Sequence, residues 1–191
     1  YLYVLTDEDD AVLLRIEPAT AVVDPPGSAI FVNRLTEPRV PPVAESAWTA
    51  EQRALVEKYA PDGNPGNALR TLMRVPALAD RFMPLLTYVS NDSTLTPRHR
   101  AILILRTAWL TQNGYLWSSH AGRADHGLAA AELRALAEGP GDDWTSFENL
   151  LISLADEMFR NAFVTDRTWA ELSRMYNLSN LADAVVTVSE T

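Results

Sequence analysis

The chain has 191 residues, 47% of them hydrophobic, enough to build one domain with a full core, and 25 acidic against 16 basic side chains leave a formal net charge of −9. That balance argues against nucleic acid and anionic membrane surfaces as partners, since both select for clustered Lys and Arg. No apolar run approaches the roughly 18 residues that span a bilayer, and the absence of cysteine removes disulfides, thiolate metal sites and thiol catalysis.

Residues 1–34 read as a β-rich segment. Short apolar runs at 1–5, 11–16, 21–23 and 29–32 alternate with acidic or Pro/Gly-containing breaks, the pattern of strands between turns. The acidic break at 7–10 is a solvated hairpin turn on this reading rather than a calcium loop. The chain opens on Tyr1 rather than Met and without a signal-peptide pattern, so the expected N-terminus is trimmed or incomplete and the expected compartment is the cytoplasm. A proline-rich linker at 36–42 forbids regular structure.

From there the period is helical, and residues 35–191 are expected to form one all-α domain. Thr49 caps a helix running through Tyr59, with Glu51 and Gln52 in its first turn. After the turn at 61–66, the pattern predicts a short helix over 68–74, stopped by Pro76, which opens the next through about Val89. Thr96-Pro97 is a start signal, a capping hydroxyl followed by Pro at the first helical position. The helix it opens, 97–110, is apolar on most sides and should be central in the core. A helix over 115–126 follows, with Gly127 as its left-handed stop. Helices over 129–137, 144–160, 166–176 and from Ser179 onward complete the set, with Thr165 and Ser179 as N-caps. No repeat and no low-complexity tract occurs.

Two segments carry chemistry. Ile104-Leu105-Arg106-Thr107-Ala108 closes one helix, and Tyr115-Leu116-Trp117-Ser118-Ser119-His120 opens the next across the polar break at 111–114. This pair resembles the signature of the carboxymuconolactone decarboxylase and alkylhydroperoxidase-like family. Weaker pieces agree: Val40-Pro41-Pro42 ahead of Trp48-Thr49 and Glu51-Gln52, residues 91–95 before the central helix, and Phe163-Val164-Thr165-Asp166 with Trp169. The resemblance runs from about residue 35 to 191 and implies an alkylhydroperoxidase-like helical bundle, assembled as a trimer or hexamer. It further implies cofactor-free decarboxylation, isomerisation or cyclisation of a small lactone, keto compound or carboxylic acid.

The chain departs from the family's redox pattern. The relay glutamate position falls on Ala101, and the two cysteine positions fall on Asn113 and Leu116. Leu116 also stands where the decarboxylase-like branch carries a second carboxylate. Neither Asn nor Leu supplies a thiolate, so thiol-based peroxide reduction is excluded. Tyr115 and His120 remain as the candidate catalytic pair. His120, with an ordinary pKa near 6.5, suits proton transfer at neutral pH. Tyr115 either donates to a developing oxyanion or packs with its hydroxyl satisfied.

Asn113, Leu116, Trp117 and His120 share one helix face and are candidate substrate contacts, with bland alternatives beside each. Asn113 suits a turn or cap before Gly114. Trp117 is core or pocket wall. Arg106 binds a substrate carboxylate or an internal one. His99 and His126 are expected to be solvated. The three histidines are too far apart for a zinc site, so no metal is expected, and the resemblance implies no cofactor. The competing functional class is a non-catalytic paralogue, a small-molecule-binding or protein-interaction module. A closed pocket at His120 favours the enzyme, and a shallow or apolar surface the binder.

Overall fold

The computed structural model describes residues 37–191, and the strands expected within 1–34 lie outside them. Among the described residues every regular element is helical and there is no strand. The stretch read from sequence as one helical domain contains two compact units, one within residues 37–92 and one over 93–191.

In residues 37–92, α1 (Ala50–Tyr59) begins where the Thr49 signal placed it. Thr49 and Gln52 form a reciprocal capping box, each side chain receiving the other's backbone N–H. Gln52 is buried because its amide also donates to the Met73 carbonyl at 2.9 Å. α2 (Asn67–Leu72) and α3 (Pro76–Thr87) close this unit, and α3 runs into a π-helical turn at Tyr88–Asp92. Pro84 lies inside α3 and has no N–H to give the Asp80 carbonyl one turn back. That orphaned carbonyl accepts the Tyr59 hydroxyl from α1 at 3.1 Å instead. The core joins Val43, Leu55, Val56, Leu69, Leu72, Met73 and Ala79.

Residues 93–191 form six helices: α4 (Pro97–Leu110), α5 (Gly114–Ala121), α6 (Ala130–Glu138), α7 (Ser146–Asn161), α8 (Asp166–Met175) and α9 (Leu178–Glu190). α4 has the expected bounds, and Thr96 accepts the His99 N–H as its cap. Every residue from 101 to 108 is buried, so α4 is the centre of this core, packed by α5, α6, α7 and α9. α7 runs parallel to α4, because Arg98 meets Glu148 and Arg106 meets Asp156, each pair fifty positions apart. α4 ends in a Schellman motif: the Gln112 N–H bonds the Trp109 carbonyl and the Asn113 N–H bonds Ala108. Gln112 takes the left-handed conformation, φ 56°, that this motif normally gives to glycine.

Several expected boundaries are corrected. α5 stops at Ala121, with Gly122 as its cap, rather than at His126. The residues beyond bond locally instead: Arg123 grips Asp125, and the His126 ring takes up the His120 carbonyl and the Leu128 amide. Gly127 is left-handed at φ 64°, but inside that loop. α9 is capped by Asn177, not Ser179, since Asn177 and Asn180 exchange side-chain to backbone bonds. α2 stops at Leu72 rather than at 74.

Candidate functional site

The α4–α5 hairpin carries the nominated residues, and most of them are committed to folding. Arg106 is 3% exposed. Its Nε and Nη2 donate to the two oxygens of Asp156 at 2.6 and 3.0 Å, and Nη1 donates to the carbonyls of Leu136 and Ala137. A bidentate ion pair plus two carbonyls uses every nitrogen of the guanidinium, so Arg106 ties α4 to α7 and to the end of α6. Gly139 completes this arrangement: a Cβ there would lie 3.0 Å from Arg106 Nη2, and its φ of 104° strains any other residue. Of the two sequence readings of Arg106, the geometry realises the internal ion pair.

Asn113 is the N-cap of α5, its Oδ1 accepting the Leu116 N–H at 3.1 Å. Leu116 packs on the main core from its edge. Trp117 is 1% exposed and meets Trp109 edge-on at 5.8 Å, which makes it core rather than pocket wall. Ala101 on α4 is buried, and its methyl group offers no proton relay. Tyr115 stands partly buried in the first turn of α5.

His120 differs from these. It sits in the last turn of α5, partly buried, and among the described residues no hydrogen bond reaches either ring nitrogen. Burial, then the cation of Arg123 and more weakly His126 and Arg100, push its pKa down to about 4, against a smaller opposing pull from Asp125. The expectation of an ordinary value near 6.5 is therefore corrected: at pH 7 this imidazole is neutral.

Both other histidines are corrected as well. His126 is 5% exposed and hydrogen-bonded at both ring nitrogens. His99 is half-buried, with Nδ1 2.7 Å from the Tyr176 hydroxyl and Phe147 against both rings. Burial lowers the His99 pKa and raises the Tyr176 hydroxyl to about 12.

The sequence reading missed the network beside them. Arg98 bridges Glu148, which closes the capping box of α7, and Glu132, which accepts the Ala129 N–H at the start of α6, and it donates to the Gly127 carbonyl. Its bonds hold Glu132 below the usual carboxylate range. Half of this was readable: Thr145 three residues before Glu148 is a capping-box signal. That one arginine would collect both acids was not.

Among the described residues no three His, Cys, Asp or Glu side chains cluster as cation ligands, and no helix is long and apolar enough to cross a membrane. An open groove of about 490 Å³ lies in residues 37–92, between Pro41, Pro42, Ala47, Gln52 and Arg74, and contains none of the six nominated residues. Comparisons with protein-family models, curated proteins and solved structures found no match to this chain.

Proposed function

We propose that the chain is a divergent carboxymuconolactone decarboxylase-like enzyme that works in the cytoplasm without a cofactor. It moves a proton at His120 on a small lactone, keto compound or carboxylic acid, and does not reduce peroxides through thiols. The observation that carries the reading is His120 itself, a neutral imidazole without a hydrogen-bond partner among the described residues, at the end of a short helix. A base must be unprotonated to accept a proton, and this one is so at every pH well above 4. Tyr115, one turn and a half earlier on α5, is the assigned oxyanion donor. Arg100 and Arg123, whose charges act on His120, would draw an anionic substrate toward it. We assign a cyclic homo-oligomer, trimer or hexamer. Phe159, Phe163, Trp169, Met175 and Leu178 support it, as large apolar side chains exposed on the 93–191 unit.

The test is solvent-deuterium incorporation, followed by proton NMR, into a panel of 2-oxo acids, 3-oxo acids and lactones. Wild type should exchange or decarboxylate at least one class. His120→Gln should lose about 10²–10⁴ of that rate, and Tyr115→Phe about tenfold to a hundredfold. The second reading, a non-catalytic small-molecule-binding or interaction module, draws support from Arg106, Asn113, Leu116 and Trp117, which all serve packing or capping. It expects no exchange in any class and equal ligand retention by wild type and His120→Gln.

A further inference from the structure

We propose that the loop from Gly122 to Ala129 is a strap latched by neutral His126, which opens on acidification. The latch is defined by two bonds to a ring that is 5% exposed. The Leu128 N–H points at Nδ1 from 2.9 Å, so Nδ1 is an acceptor and carries no proton. The proton therefore sits on Nε2, which donates to the His120 carbonyl at 3.1 Å. Only one of the three protonation states of an imidazole satisfies both partners.

Adding a proton places a second donor at Nδ1, facing the Leu128 N–H. The bond is lost, and two donors oppose each other in a buried place. The ring can keep Nε2–H on the last carbonyls of α5, where a cation is favoured by the helix dipole, only by releasing Leu128. Opening thus costs the loop its Leu128 bond and swings the chain between Gly122 and Ala129.

The charged surroundings do not abolish this logic. On α5, His120 is neutral and faces His126. In the loop, Asp125 beside the ring is held in a bidentate pair with Arg123. At the far end Arg98 of α4 donates to the Gly127 carbonyl, and Glu132 of α6 accepts the Ala129 N–H, which anchors the strap's exit and leaves the His126 bonds as its inner fastening. The inference is independent of any turnover at His120.

The experiment uses the full chain. Ring-nitrogen NMR at pH 7.5 should show an unprotonated Nδ1 and a protonated Nε2 at His126. Amide exchange corrected for intrinsic rates should then show Leu128 losing protection, by up to tenfold per pH unit, between pH 7.5 and 5. Amides of Leu151 and Ile152 in buried α7 should stay protected, which separates strap opening from unfolding. His126→Asn keeps an oxygen able to accept the amide two residues on and does not titrate, so its Leu128 protection should be flat with pH. A proton on Nδ1 at neutral pH would overturn the proposal. So would pH-independent protection in wild type, loss of Leu128 and α7 protection together, or the same pH slope in His126→Asn.

Discussion

Arg106 and His120 lie on neighbouring helices of one hairpin, and both were nominated from sequence as functional. At the α4–α7 seam, Arg106 and Asp156 are buried and paired oxygen to nitrogen, with two carbonyls filling what remains. At the end of α5, a partly buried ionisable ring meets cations and no hydrogen-bond partner among the described residues. A satisfied buried polar group explains itself by the desolvation cost of leaving it unpaired. A partly buried ring with a displaced pKa and no protein partner among the described residues is not explained that way, and chemistry is the reading we propose for it. The difference between the two regions, rather than residue type, separates a structural arginine from a candidate base.

Breaking the satisfied region should have the largest effect. Arg106→Ala leaves Asp156 buried beside only the exposed Arg160 at 3.2 Å, and should destabilise by about 3–5 kcal/mol in urea titrations. Arg106→Lys should recover only part, since an ammonium cannot make the two-oxygen fork. A loss under 1 kcal/mol for Arg106→Ala would remove the ion pair from the account of this seam. Gly139→Ala should cost about 1–3 kcal/mol through its φ of 104° and the crowding of Arg106, read by the same titration.

The unsatisfied region makes a pH-dependent prediction. The native pKa of His120, about 4, lies below its unfolded value of 6.5. Below pH 6.5 the unfolded chain takes a proton that the native state refuses, so stability falls as pH drops from 6.5 toward 4 and is unaffected above 6.5. The His120 share should be about 2 kcal/mol, trimmed from the full shift by partial solvent access. His120→Gln should flatten the wild-type curve by that amount across this window. Parallel curves for the two proteins would mean the ring is not held neutral by the fold.

The smallest expected effects lie at the helix ends. Gln112 at φ 56° and Ala162 at φ 51° hold left-handed conformations that favour glycine. Gln112→Gly and Ala162→Gly should each stabilise by about 0.5–1 kcal/mol in thermal melts, less for Gln112, whose side chain also bonds the Trp109 carbonyl. A loss of stability in both would mean that side-chain contacts, not backbone strain, dominate these caps.

Much of the helical pattern was legible because its starts are written locally: Thr49 with Gln52, Thr96 with Pro97, and Thr165 each cap within three residues. The end of α5 was misread because Arg123, Ala124, Asp125 and His126 are all acceptable in a helix. What ends it is a ring that prefers the Leu128 amide and the His120 carbonyl. Asn177 and Ser179 can both cap a helix, and only the geometry chooses Asn177. The site was legible by residue type but not by role. Arg106 finds its carboxylate fifty residues away, and His99 finds Tyr176 seventy-seven away, at distances no local pattern encodes. The depressed pKa of His120 depends first on burial, which its neighbours in sequence do not reveal, and then on Arg123, three residues on, whose effect only the folded geometry sets.

The central claim is that His120 is a neutral base, unpaired among the described residues, at physiological pH. A proton–carbon NMR titration of its ring in the full chain, assigned through His120→Gln, tests this most directly. The account predicts a midpoint near pH 4, well below an ordinary histidine. A midpoint at or above 6.5 would contradict it, placing the ring in solvent or against a carboxylate and returning His120 to the structural group with Arg106.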